Sequence, residues 1–189
     1  MSASAKTNPS LCLLTQLCEY GEYHVNFWNK LIHVFCVPAL IWSAGVLILS
    51  LPLPNAAKYL AIAVLVGPVP WAYYILLNPL LGILYAVCMG LPLLLCAGAM
   101  ATPDGDVPAS SVKVAVFVHV FSWWGQLHPG HLIFEGRRPR LVDGLVQAIV
   151  QAPLFVFLEC LFSLGVYGQL RTQMNEGVAA RLSKRKPAS

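Results

Sequence analysis

Three of the five histidines in this 189-residue chain fall between His119 and Pro139, in H-V-F-S-W-W-G-Q-L-H-P-G-H-L-I-F-E-G-R-R-P. His119, His128 and His131 are joined there by a carboxylate, Glu135, and two adjacent guanidinium groups, Arg137 and Arg138. The other two, His24 and His33, lie in Y-G-E-Y-H-V-N-F-W-N-K-L-I-H, residues 20–33. Neutral imidazole is a good ligand for zinc, iron and copper. All five histidines are therefore candidate ligands of one metal ion. Glu135, four residues past His131, is a candidate ligand or the acceptor that orients a ligating ring. Paired arginines suit a carboxylate head group, which a guanidinium fork binds in bidentate fashion, and serve equally as a topology signal. His128 and His131 flank Pro129-Gly130, so a turn aiming both rings at one ion is expected.

These groups sit in a chain with little other polar chemistry. It is 58% hydrophobic and 11% charged, with a mean hydropathy of +0.68. Soluble domains carry about a quarter charged residues, so a bilayer is the expected solvent, where an ionisable group is costly and tends to be functional. The length suffices for four or five helices of ~20 residues, which predicts one membrane domain: a soluble lead-in over 1–19, a helical bundle over 20–170 and a basic cytosolic tail over 171–189. Six cysteines form no C-x-x-C pair, and four of them lie in apolar runs, which suits core or lipid-facing side chains rather than disulfides or metal ligands. The first ten residues lack the apolar run of a cleaved signal. The net charge of +4 comes mainly from the tail and the arginine cluster, which argues against a nucleic-acid-binding face.

The elements that must position the histidines follow from hydropathy and proline punctuation. An all-α polytopic bundle is expected, with spans near 31–51, 57–77, 80–100 and 112–127. Prolines at 52 and 54, Asn78-Pro79 and the polar loop 102–111 separate them. The tail and the Arg137-Arg138-Arg140 loop prefer the cytosolic face, so the last apolar stretch, 141–168, is expected to bend near Pro153 as a re-entrant or interfacial segment. Asp143, Gln147 and Gln151 form a polar stripe along it, with Gln147 a candidate substrate contact. Glu22, Asn26, Asn29 and His33 share one face of a continuous helix, with Asn29 a second candidate contact. His24 would face the opposite way, nine residues being two and a half turns, so either the helix breaks between His24 and His33 or another element wraps round. Running the first and fourth spans antiparallel brings His33 and His119 to similar depth, with His24, His128 and His131 nearer the rim. Trp123 and Trp124 read as an interfacial belt.

Residues 20–33 and the run G-H-L-I-F-E-G-R-R-P-R-L-V-D-G-L-V-Q-A-I-V-Q-A-P-L-F-V-F-L-E, 130–159, resemble the membrane family of 2-hydroxy fatty acid dioxygenases. The signature is GH-x-x-FE-x-x-RP, then D-x-x-x-Q and A-P-x-F. The resemblance implies an Fe(II) enzyme that converts a 2-hydroxy fatty acid and O2 to the one-carbon-shorter acid and CO2. It also implies a place at the endoplasmic reticulum membrane, in breakdown of phytosphingosine. His24, His33 and His131 match the family's histidines. One departure is Q-L-H-P-G-H where the family pattern reads Q-F-x-G-H, so His128 is extra, and His119 has no counterpart. Two other readings stay open: a bis-histidine haem protein using His33 and His119, and a non-catalytic membrane transporter or scaffold.

Overall fold

A computed structural model describes residues 12–139, 142 and 144–184. Its longest helix, α2 (Phe27–Leu49), begins where Asn26 accepts hydrogen bonds from the backbone N–H of Trp28 (2.8 Å) and Asn29 (3.4 Å). That caps two donors a helix start leaves open. The short helix α1 (Leu13–Gly21) precedes it, and the chain breaks over 22–26 before α2 starts. Of the two ways to bring His24 round to His33, the break is the one realised.

Helices α3 (Asn55–Leu65) and α4 (Pro68–Leu77) form one apolar arm interrupted at Val66-Gly67, where Pro68 opens the second helix. The arm folds back through Asn78, whose side chain caps Leu81, into α5 (Pro79–Tyr85). The α4–α5 approach is close: a Cβ on Gly82 would lie 2.4 Å from the backbone nitrogen of Ile75, so only glycine fits. A π-helical turn (Ala86–Gly90) leads into α6 (Leu91–Gly98). Helix α7 (Ala109–Gly125) continues as a π-helix (Gln126–Glu135), ended by Gly136 at φ 62°. Helices α8 (Leu145–Ser163) and α9 (Gly168–Lys184) complete the chain. No strand occurs among the described residues.

Among the described residues, four segments are long and apolar enough to cross a membrane: Phe27–Leu49, Asn55–Leu77, Pro79–Gly98 and Leu145–Ser163. Three agree with expectation. The fourth expected span, 112–127, falls largely on α7, and the last apolar stretch forms a helix that continues through Pro153 without breaking into a hairpin there. That helix is the most buried of the four, half of its apolar window lying inside the protein. Its polar stripe meets α1: Gln147 donates to Gln16 (3.0 Å) and Glu19 (3.1 Å), and the buried Gln151 donates to Gln16. Asp143, Arg140 and Leu141 lie outside the described residues.

The described part of the basic tail is helical. Residues 168–184 form a helix folded onto α1, with Met174 and Val178 buried and Arg181 paired to Glu19 at 3.5 Å. Gly177 allows this contact, since a Cβ there would lie 2.4 Å from the Cys18 sulfur. Residues 185–189 are outside the description.

Helices α6, α7 and α8 all pack on α2. Two small clusters seal the seams: Val37, Ile41 and Val156 between α2 and α8, and Val46, Ala97 and Ala115 where α2, α6 and α7 meet. A larger aromatic-rich cluster joins α1, α4, α5, α8 and α9.

Candidate metal centre

The turn over 22–26 carries His24, α2 carries His33, and the π-helix carries His131. Each of the three is 2–4% exposed. One potential ligand nitrogen from each can be chosen so that all three lie within 4.8 Å of one another. The ring centroids are 4.6 Å apart for His24–His33, 4.8 Å for His24–His131 and 5.1 Å for His33–His131, all edge-on.

The hydrogen bonds fix how two of the rings are protonated. His24 Nδ1 lies 2.9 Å from the Tyr20 carbonyl and His33 Nδ1 lies 2.9 Å from the Asn29 carbonyl. A carbonyl oxygen only accepts, so both Nδ1 atoms carry the proton and both Nε2 atoms present lone pairs. Those two Nε2 atoms face each other at 3.3 Å. Two bare lone pairs repel at that distance, and a cation bound to both removes the repulsion. Nitrogens held at about 2.0–2.1 Å by one tetrahedral ion sit roughly 3.3–3.4 Å apart. His131 adds a buried Nδ1 with no hydrogen-bond partner. Burial also holds the His131 imidazole below its ordinary range, to about 4, with the Glu135 charge pulling weakly the other way. A neutral imidazole is the form a metal ion needs. The donor set therefore fits a metal ion.

Glu135 is not one of the grouped ligands. Its carboxylate accepts from the N–H of Val25 (3.1 Å) and Asn26 (3.0 Å) and from the Asn29 side-chain amide (3.1 Å). It thus ties the end of the π-helix to the turn holding His24 and to the start of α2, where a helix N-terminus favours negative charge. Tyr20 stacks on the His24 ring at 4.1 Å and 3°, fixing its plane. Gly130 lets the π-helix approach α2: a Cβ there would lie 2.7 Å from Asn29 Oδ1.

Two expected ligands are elsewhere, each for a geometric reason. His119 pairs with Ser43, ten residues or ~15 Å further along α2 than His33. The helix continues past Gly125 as the π-helix, so it is His131, not His119, that comes level with His33. The Trp123 indole N–H donates to His119 Nε2 (3.1 Å), which leaves Nδ1 as the donor to Ser43 Oγ (2.9 Å), and Ser43 in turn donates to the Leu40 carbonyl. Both ring nitrogens are spent on helix packing, which also removes the His33–His119 haem arrangement. His128 is exposed and stacked on Trp124 at 5.7 Å and 8°. Instead of a tight turn at Pro129-Gly130 there is a π-helix, which Pro129 favours by lacking an α-type N–H donor. Because a π-helix has more residues per turn, His128 and His131 no longer share a face.

The triad lies at one end of a cavity of about 990 Å3, its open side included. Along α2 the wall is His33, Val37, Leu40, Ile41 and Ala44, and along α7 and the π-helix it is His119, Trp123, Leu127 and His131. Leu65 and Val66, Trp71 and Tyr74 of α4, Tyr85, and Ile149, Val150, Ala152 and Pro153 of α8 also line it. Arg137, Arg138, Asn29 and Gln147 do not line it. The two arginines are exposed, and Arg137 donates to the Glu22 carbonyl at 3.4 Å. The roles of Ser43 as partner of His119 and of Tyr20 as the ring stacked on His24 were not read from sequence, since neither residue type nor spacing signals them.

Residues 12–164 match the family described as 2-hydroxy-palmitic acid dioxygenase Mpo1-like. The chain is similar to 2-hydroxy-palmitic acid dioxygenase MPO1 of Saccharomyces cerevisiae, with 32% identity over 164 residues, covering 87% of this chain and 88% of the relative. No solved structure matches. The match runs through both halves of the triad, His24 and His33 on one side and His131 on the other, and the chain belongs to the Mpo1-like family of 2-hydroxy-palmitic acid dioxygenases.

Proposed function

We propose that the protein is a membrane dioxygenase that converts 2-hydroxy fatty acids, with O2, to the one-carbon-shorter fatty acid and CO2. The observation that carries this reading is the pair of unprotonated Nε2 atoms of His24 and His33, 3.3 Å apart beside the buried His131, at the end of an apolar cavity. The name of the yeast relative supplies the substrate class. The reaction balances without another reductant. The hydroxy acid gives up four electrons in becoming a carboxylic acid and CO2, and O2 takes them up, leaving one water.

The metal in this reading is iron(II), held by His24, His33 and His131. When bound, it supplies a redox-active Lewis acid with positions free for O2 and for the hydroxy acid's oxygens. The remaining work falls to the protein. Tyr20 and the carbonyls of Tyr20 and Asn29 hold two rings in the ligating tautomer. Glu135 acts as a positioning residue for the turn rather than as a ligand. The apolar wall of α2, α4 and α8 takes the acyl chain and keeps bulk water from the reacting carbon. Arg137 and Arg138, exposed next to the turn, attract the carboxylate at the rim. The site and the C-terminal helix face the cytosol from the endoplasmic reticulum membrane in this proposal.

Anaerobic purification followed by metal analysis and an assay with 2-hydroxypalmitate and O2 tests the reading. Stoichiometric iron and release of the one-carbon-shorter acid are expected. Metal-free protein that stays inactive after iron(II) is added would defeat it.

A further inference from the structure

Asn29 meets every segment that carries a member of the triad. It is 0% exposed and lies outside the lining of the cavity. Its backbone carbonyl accepts the His33 Nδ1 proton at 2.9 Å. Its side-chain nitrogen donates to the carbonyl of Tyr23, the residue before His24, at 3.4 Å, and to Glu135 Oε2 at 3.1 Å. A side-chain amide nitrogen has two N–H groups, so both are in use. Asn29 Oδ1 is buried with no hydrogen-bond partner. It abuts Gly130, the residue before His131, where a Cβ would come within 2.7 Å. One amide thus sits against the neighbours of two ligands, on the residue that fixes the tautomer of the third.

We propose that the Asn29 side chain is the positioning residue that sets the spacing of the three imidazoles, and with it the affinity and geometry of the metal centre. The inference rests on the metal reading of the triad. Ligand atoms must lie within about 0.2 Å of their ideal distances to a metal ion, so backbone next to a ligand has little freedom. The amide nitrogen acts as a tie. It draws the turn that bears His24, through the Tyr23 carbonyl, and the end of the π-helix, through Glu135, onto the start of α2. The amide oxygen works in the opposite sense. Gly130 offers it only a weak C–H contact, so it acts as a spacer that stops the π-helix from closing further on α2. A buried acceptor left unpaired is costly, and the spacer role gives a reason for it to stand there. Aspartate at this position would set a carboxylate oxygen against the Tyr23 carbonyl and the Glu135 carboxylate, with no proton between them. Alanine would remove tie and spacer together.

The test uses full-length protein in detergent, freed of metal by a chelator and titrated with cobalt(II), whose visible absorption reports the number and arrangement of its donors. Asn29→Asp and Asn29→Ala are compared with the unsubstituted chain. A double variant, Asn29→Asp with Glu135→Gln, exchanges the donor and acceptor ends of the hydrogen bond between the two side chains. Thermal unfolding of each metal-free protein is followed in parallel. Removing a group that orients ligands costs about 10–100-fold in metal affinity. Both single variants are expected to lose cobalt affinity in that range, with the absorption of the saturated site shifted. The double variant should regain part of the loss. Asn29→Asp is nearly isosteric and keeps the test decisive should Asn29→Ala fail to fold. Parent-like affinity and absorption with only the unfolding temperature lowered, or a double variant no tighter than Asn29→Asp, would overturn the positioning role and leave the metal centre standing. An unsubstituted chain that binds neither cobalt nor iron would overturn the centre and this inference with it.

Discussion

His33 and His119 sit on facing helices, each packed at the α2–α7 seam and each on the wall of one cavity, yet their nitrogens are spent in opposite ways. His119 receives a proton donor at Nε2 from Trp123 and gives its own Nδ1 proton to Ser43, so it has nothing left to offer. His33 gives its Nδ1 proton to the Asn29 carbonyl and points Nε2 at another lone pair, that of His24. The contrast teaches that burial and residue type do not make a ligand. What does is a set of neighbours that takes up one nitrogen as donor and supplies the other with no proton. Around His33 the neighbours are carbonyls and imidazoles; around His119 they are an indole and a hydroxyl, and the ring becomes a rivet between helices.

That comparison breaks most visibly if the triad is cut. On the proposed iron(II) reading, His33→Ala should leave the protein in the membrane with the metal lost and turnover at background, read by metal analysis and product formation. Retention of stoichiometric iron would place the metal elsewhere. The next effect is at the positioning carboxylate. Glu135→Ala frees the turn that holds His24, and metal affinity should fall about 10–100-fold, the range found when groups behind the ligands are removed. Glu135→Gln keeps an acceptor oxygen and should recover part of that loss in a competition titration. On the other side of the comparison, His119→Leu should cost about 1–3 kcal/mol of stability, because the Trp123 and Ser43 groups lose their partner. Its iron content should match the parent, and a loss of iron there would contradict the division of roles. The smallest effect belongs to His128→Ala, an exposed ring stacked on Trp124. Metal content should match the parent, and stability should stay within about 0.5 kcal/mol of it.

Much of the site was legible before any coordinates. Residues 20–33 and 130–135 hold every ligand of the proposed centre, and the helical arithmetic required either a break between His24 and His33 or a second element. Glu135 reads from sequence as either a ligand or the acceptor that orients one, and its partners are the Val25 and Asn26 N–H groups and the Asn29 amide rather than a ring. The depth assignment failed for one reason. An α-helix ending near Leu127 puts His119 opposite His33, whereas the π-helical continuation over 126–135 raises His131 into that place. Helix hydrogen-bond register is a cooperative outcome of packing against α2, where Gly130 meets Asn29, and composition does not encode it.

The sequence by itself determined that this chain is helical and membrane-suited, that its chemistry is confined to two histidine-bearing segments, and which family signature those segments carry. These are properties of composition, period and local order, which survive without knowledge of contacts. Tertiary structure decided which three of five histidines meet, since that depends on how two segments about a hundred residues apart align across a helix seam. It also decided that the C-terminal helix lies on α1 and that one apolar cavity is walled by α2, α4, α8 and the α7–π-helix run. A cavity exists only where side chains from several helices converge around it, and no single stretch of chain records that convergence.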